Sequence, residues 1–362
     1  RPMLADSEFV LKAEQGRSDE INTCIGCNQA CLDHIFSMKI ATCLVNPRAC
    51  YETELIFKET NVAKNIAVIG AGPAGLSFAI YAANRGHHVT IFEAAAQIGG
   101  QFNIAKTIPG KEEFYETLRY FKRQIELQPR IKLLLNRKAT FEQLVSAEFD
   151  DIVVATGVTP RQLNIPGIDH PKVLSYLDVL RERKPVGQRV AIIGAGGIGF
   201  DTAELLSHGA ESGSVNPEKF YDEWGIDTDY ENVGGLKPAH VEQPQREIYL
   251  LQRKPASVGS SLGKTTGWIH RTGLKHRHVK MIAGASYEKI DDQGLHIVVN
   301  DKPALLEVDQ IIICAGQESH TAMFDELKAA GKSVHLIGGA KEAGELDAKR
   351  AIRQGAELAA VI

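Results

Sequence analysis

The sequence has no excess of basic charge, no long apolar run and no even spread of cysteines, and each absence removes a class of protein. Its 41 Lys and Arg stand against 45 Asp and Glu, for a net charge of −4, so there is no electrostatic footprint for a nucleic acid. No stretch approaches the roughly 18–20 consecutive apolar residues that a membrane helix needs. The opening residues, RPMLADSEFV, carry neither an initiator Met nor the apolar core of a signal peptide, and the chain reads as a truncated piece of a cytoplasmic protein. Low-complexity tracts are absent, and no Ser/His/Asp set assembles from the motifs. With 362 residues and 44% hydrophobic content, the chain can fill two to three cores unaided. It therefore has no need of the dispersed disulfides of a small extracellular domain.

The cysteines that are present crowd together. Five of the six lie in TCIGCNQACLDHIFSMKIATCLVNPRAC, and the sixth, Cys314, is remote. Cys24, Cys27 and Cys31 run C-x2-C-x3-C, and Cys43 follows after eleven residues. Three thiols in one tight turn with a fourth just beyond suit the corners of a [4Fe-4S] cluster. Zinc is the rival, although its sites tend to pair two C-x2-C knuckles or to mix Cys with His. Cys50 is left as a spare, and Cys314 reads as a buried free thiol.

After a polar connector, KNIAVIGAGPAGLSFAIYAANRGHHVTIFEAAAQIGGQF reads as strand, glycine turn, helix, strand. Gly70 makes the turn, Gly72 admits a pyrophosphate to the backbone, and Gly75 lets helix and strand pack closely. The helix N-terminus then faces the diphosphate. Glu93, 23 residues after Gly70, stands where a carboxylate takes ribose hydroxyls. Gln101 in GGQF is either a polar contact to the next part of such a ligand or a solvated turn residue.

A second motif, QRVAIIGAGGIGFDTAELL, places Gly194, Gly196 and Gly199 between a strand and a helix. The predicted fold class is therefore α/β, with two Rossmann-like dinucleotide-binding domains, the second nested in the first. The first would hold FAD and the second a nicotinamide. Apolar strands in DDIVVATGVTPR and VDQIIICAGQES flank the second motif, and the C-terminal segment VHLIGGAKEAGELDAKRAIRQGAELA is expected to complete the first domain. The second strand of the nested unit is assigned to REIYLLQRK. It ends in Arg253 and Lys254, which would pair a 2′-phosphate and favour NADPH over NADH. Because Gln252 lies 58 residues past Gly194, this assignment requires 208–246 to be an ordered insertion. GSSLGKTTG has three residues between its glycines where a P-loop needs four, which argues against an ATPase loop and leaves a phosphate-contacting loop open. No cysteine pair lies near the flavin loop or in the nested unit, which argues against a disulfide reductase. The order of carriers is NADPH, FAD, cluster, because a flavin accepts electron pairs and releases single electrons.

Taken together, RPMLADSEFVLKAEQGRSDEINTCIGCNQACLD, CLVNPRAC, VIGAGPAGL, IGGQFNIAKTIPGKEEFYETLRYF, LGKTTGWIHR and ELDAKRAI resemble the C-terminal half of the bacterial NADPH-dependent 2,4-dienoyl-CoA reductases. These are grouped with trimethylamine dehydrogenase among fusions of an old-yellow-enzyme barrel to a reductase module. The resemblance implies an N-terminal TIM barrel, absent here, that holds FMN and the substrate site, with 1–23 as its remnant. It implies an iron–sulfur segment at 24–60 whose ligands are Cys24, Cys27, Cys31 and Cys43. It implies an FAD domain at 61–166 and 301–362 and an NADPH domain at 167–300. FAD contacts would fall on the first turn with Ala74, on Glu93 and Gln101, and on the backbone near Lys138; NADP contacts would fall on Arg253 and Lys254. One departure is Gly338-Gly339, where many such flavoproteins have Gly-Asp. ADP can replace FAD in trimethylamine dehydrogenase. The implied function is electron delivery for 2,4-dienoyl-CoA reduction in unsaturated fatty acid breakdown. The alternatives are a donor module for a related enone reductase or amine dehydrogenase, and an ADP- and zinc-binding scaffold. DSEFVLKAEQGRSDEI is expected to form one amphipathic helix with an Asp cap.

Overall fold

The computed structural model describes residues 1–209, 211–344 and 347–362; Glu345 and Leu346 of the ELDAKRAI motif lie outside it. The chain forms two compact units, one of residues 1–103, 113–159 and 317–362, the other of 104–112 and 160–316.

Each unit is built on a five-stranded parallel sheet. In the first the order is Val334–Leu336, Asp151–Val154, Asn65–Ile69, His88–Phe92, Ile131–Leu134. In the second it is Val173–Ser175, Gln310–Ile313, Arg189–Ile193, Glu247–Leu251, Lys280–Ile282. The central strands are continuous apolar runs, NIAVI and RVAII, as strands covered on both faces require; Val68 and Ile192 are fully buried. A three-stranded antiparallel sheet, Ala285–Asp291, Gly294–Val299 and Lys302–Leu306, completes the second unit.

Three expectations change in the structure. First, the nested unit runs to Gly316 and begins at Pro160, not 167–300. Gln310–Ile313 pairs in parallel with both Arg189–Ile193 and Val173–Ser175, and its sequence, QIII, would have suited either sheet. Second, the N-terminal helix is broken. A short helix, Phe9–Glu14, stops before Gly16, whose φ of 71° leaves the helical region, and a 3-10 turn follows at Ser18–Glu20. Its N-cap, Glu8, makes no side-chain cap. Asp6 instead accepts from the backbone N–H groups of Glu8 and Asn22 and from Lys12 Nζ. Third, the cysteine segment is not a separate lobe: Ala30, Leu44 and Val45 are buried in the core of the first unit together with Leu76 and Phe78.

The described residues of the insertion are structured. It contains the helix Pro217–Trp224, capped by Asn216, and is held to the second unit by a buried Arg277–Glu223 pair at 3.2 Å. Glu247–Leu251 pairs in parallel with Arg189–Ile193, so it is the second strand despite the long spacing.

Candidate functional site

The two glycine turns have the same geometry. Gly70 and Gly194 both have φ of 107°, and each donates its N–H to the last residue of the neighbouring strand, Phe92 O at 2.8 Å and Leu251 O at 3.0 Å. A Cβ on Gly75 would lie 2.1 Å from Gly70 O, and one on Gly199 would lie 1.8 Å from Gly194 O. Only glycine permits that approach of helix to turn. The middle glycines, Gly72 and Gly196, are N-caps of the helices Pro73–Asn84 and Gly197–Ser207, without side-chain caps and with nothing within 4 Å of an added Cβ. The helix ends thus present unpaired N–H groups to open space, the arrangement that receives a diphosphate.

Around the first turn the expected residues gather. Glu93 accepts from Ala71 N and Ala95 N, both at 2.8 Å. Each oxygen keeps a lone pair for a ribose hydroxyl. Gly99 donates to Ala71 O at 2.8 Å, and Gly100 lies against Gly72, so half-buried Gln101 follows directly on the turn. Arg137 N donates to Glu93 O at 2.8 Å, which brings the backbone before exposed Lys138 beside the same carboxylate residue. Gly338, of the doublet that departs from Gly-Asp, is a further neighbour of this turn. With φ of 62° it lies so close to Ala74 that a Cβ would stand 2.7 Å from the alanine methyl, and its N–H donates to Gln354. The doublet in VHLIGG was the available signal.

In the second unit Gln252 follows Leu251 as Glu93 follows Phe92, and its side chain donates to Lys254 O and Ala256 O. Arg253 and Lys254 are exposed at this strand end. A shallow hollow of about 640 Å³ on the antiparallel sheet, lined by Pro166, His296 and Leu305 among others, shares no residue with either turn.

Cys24, Cys27, Cys31 and Cys43 line one pocket. Two left-handed residues, Gly26 and Asn28, fold the C-x2-C-x3-C loop, and Thr42 N donating to Ala30 O at 2.8 Å brings in the strand of chain that carries Cys43. Burial pushes the Cys27 thiol up to about 11, opposed by the Gln29 N–H and reinforced by the other three cysteines; burial raises Cys43 too. Phe57 stacks at 4.2 Å on Tyr81 of the helix Pro73–Asn84, tying the segment to the first unit. All six cysteines are free; Cys50 is exposed, and Cys314 is buried with its thiol pushed up to about 12. Among the described residues no three Cys, His, Asp or Glu side chains converge on one metal ion. Four thiols lining one pocket are the type of donor set that an iron–sulfur cluster takes, in which each sulfur binds its own iron.

A family model for pyridine nucleotide-disulphide oxidoreductases matches residues 64–340. The chain belongs to that family. It is a flavin oxidoreductase module, and FAD and NAD(P) are the cofactors that membership implies. Its N-terminal segment also has counterparts. The chain is 34% identical to a metal reductase of Desulforamulus reducens over 351 residues, covering 94% of this chain and 50% of that protein. It is 30% identical over 339 residues to an N,N-dimethylglycine/sarcosine dehydrogenase of Chromohalobacter salexigens, covering 91% and 44%. A solved 2-naphthoyl-CoA reductase in complex with 2-naphthoyl-CoA superimposes with a TM-score of 0.84 at 28% identity, over all of this chain and 50% of that one. The chain thus spans about half the length of these relatives. Among the described residues no helix is long and apolar enough to cross a membrane.

Proposed function

We propose that this chain is the electron-donating half of an NADPH-dependent reductase of 2,4-dienoyl-CoA thioesters, working in the cytoplasm. The observation that carries the reading is the pocket of four thiols packed on the core of the unit that bears the first glycine turn. When bound, a nicotinamide would supply a hydride, a flavin would accept the pair and release single electrons, and a [4Fe-4S] cluster would carry one at a time. The residues that hold these groups are the first turn with Ala74, Glu93, Gln101 and the Lys138 backbone for FAD, the second turn for the nicotinamide nucleotide, and Cys24, Cys27, Cys31 and Cys43 for the cluster. Arg253 and Lys254 neutralise a 2′-phosphate, and Gln252 does not repel one as an acid would. The six free thiols fit a reducing compartment. The acceptor would be FMN in the barrel that the resemblance implies, outside the residues of this chain, and similarity to a 2-naphthoyl-CoA reductase supports a thioester substrate.

A second reading, donor module of an amine dehydrogenase, is favoured by the similarity to the Chromohalobacter protein.

The test is anaerobic stopped-flow absorbance of the iron-reconstituted, flavin-loaded chain mixed with NADPH or NADH. Flavin bleaching faster with NADPH, followed by cluster bleaching, is the expected result. A chain that takes up neither flavin nor iron ends the reductase reading. Turnover of an amine but not of a dienoyl-CoA by the barrel-containing protein selects the second reading.

A further inference from the structure

The segment that follows the strand Glu247–Leu251 reads QRKPA, with a proline at its fourth position. Proline fixes its own φ and steers the residue before it towards extended backbone, so Lys254 is kept out of the helical region. The start of the segment is fixed from outside by backbone bonds. Gln252 N donates to Ile282 O at 2.9 Å, and Ala285 N donates to Gln252 O at 3.0 Å. Arg253 and Lys254 stand exposed just beyond, all of it within the second unit.

The Gln252 side chain closes the rest of the turn from inside. Its Nε2 donates to Lys254 O at 3.0 Å and to Ala256 O at 2.7 Å. An amide nitrogen carries two hydrogens, so both are spent on this turn. Lys254 O receives a second donor, Gly284 N at 3.1 Å. Gly284, with φ of 70°, brings its own turn so near that a Cβ there would lie 3.9 Å from Pro255 Cα. Both groups that Gln252 faces are carbonyl oxygens, so the atom aimed at them must donate. A glutamate at this position would present a carboxylate, which only accepts.

We propose that Gln252 is a positioning residue, whose amide clamps the 252–256 turn so that Arg253 and Lys254 are held together for the 2′-phosphate of NADPH. This rests on the reading of the second glycine turn as a nucleotide site, and deepens it. The clamp acts by preorganisation: the turn is ordered before the ligand arrives, so binding does not bear the cost of ordering it. It also bears on the choice between nucleotides. An acid at the end of such a strand takes the ribose hydroxyls of NAD. Here a carboxylate at 252 would be turned against Lys254 O and Ala256 O, and the turn has no place for it. Preference for a 2′-phosphate is thus built into the shape of the turn as well as into its charge.

Calorimetric titration of the full chain with NADP⁺ and, separately, NAD⁺ tests this. Gln252→Met keeps the length of the side chain and removes both donors. Its NADP⁺ affinity should fall about fivefold, the net worth of one ordinary hydrogen bond, while NAD⁺ affinity stays within about twofold and so shows a folded site. Gln252→Glu adds repulsion to the lost donors and should weaken NADP⁺ at least about tenfold with no rise in NAD⁺ affinity. Unchanged NADP⁺ binding in Gln252→Met overturns the clamp, as does an equal loss of both nucleotides, which marks a merely structural residue. A rise in NAD⁺ affinity in Gln252→Glu overturns it too, because the turn then accepts an acid. Arg253→Ala keeps the two failures apart. Selective loss of NADP⁺ affinity there, with none in Gln252→Met, leaves the 2′-phosphate reading standing and removes the clamp alone. A wild-type chain that binds neither nucleotide, or both equally, removes that reading and the clamp with it.

Discussion

Replacing the middle and last glycines of the second turn, one at a time, should separate ligand binding from folding. In Gly199→Ala the new Cβ would stand 1.8 Å from Gly194 O, where a carbon and a carbonyl oxygen normally keep about 3.3 Å. The helix Gly197–Ser207 must withdraw by roughly 1.5 Å, and the obstacle is backbone rather than a side chain that could turn aside. Overpacking of this kind costs ~1–3 kcal/mol, and the better helix propensity of Ala returns at most ~1 kcal/mol. Because the obstacle is backbone, the cost falls at the upper end of that range, and a net loss of ~2 kcal/mol follows. Gly196→Ala places its Cβ in open space at an extended residue with φ of −83°. Ala is a poorer N-cap than Gly, so stability should fall by up to ~1 kcal/mol, while the methyl stands where a diphosphate must approach.

Both tryptophans of the chain, Trp224 and Trp268, lie in the second unit, so their fluorescence in a urea titration of the nucleotide-free protein reports that unit. With a slope of about 2 kcal/mol per M, Gly199→Ala should shift the midpoint down by about 1 M and Gly196→Ala by no more than about 0.5 M. NADPH affinity should fall at least about tenfold in Gly196→Ala, the equivalent of ~1.4 kcal/mol. An unchanged midpoint in Gly199→Ala would refute the close approach. Undiminished NADPH binding by Gly196→Ala would refute the turn as the diphosphate seat.

Three further outcomes are expected. Arg253→Ala and Lys254→Ala should each raise the KM for NADPH several-fold, about 1 kcal/mol for an exposed charge, and leave NADH unchanged; equal effects on both nucleotides would place these residues away from a 2′-phosphate. Cys24→Ser, Cys27→Ser, Cys31→Ser and Cys43→Ser should each lower the iron retained after reconstitution, whereas Cys50→Ser should not; iron content by a chelator assay decides. Acid should unfold the first unit through Asp151. Burial would raise this carboxyl, but Ser333, Lys64 and His335 outweigh it and hold it below the usual value of 3.8. Its stabilisation is therefore complete above that value and is lost as pH falls through the lower folded value. Asp151→Asn should flatten the dependence of unfolding on pH below 4, and an unaltered profile would dismiss the cluster as a source of stability.

The parts legible in the sequence are those set by short-range geometry. A left-handed turn residue, a helix end without a capping side chain and a helix pressed against its own turn depend on residues within a few positions of one another. Gly70, Gly72 and Gly75, and Gly194, Gly196 and Gly199, could therefore be assigned from spacing. The four cysteines were legible for a similar reason, since three share one tight loop. The strand Glu247–Leu251 was identified across a long insertion because strand-ending charge is local chemistry.

What the sequence by itself determined, then, is the two glycine turns, their order along the chain and the four cysteines that line one pocket. Only the tertiary structure decided which sheet Gln310–Ile313 joins, that Gly338 closes on Ala74, and that 104–112 is anchored in the second unit. The physical reason is the same in each case. A run such as QIII is equally apolar on either sheet, and a loop such as IAKTIPGKE carries no period. Their partners are chosen by burial and pairing summed over distant segments, which no local pattern records.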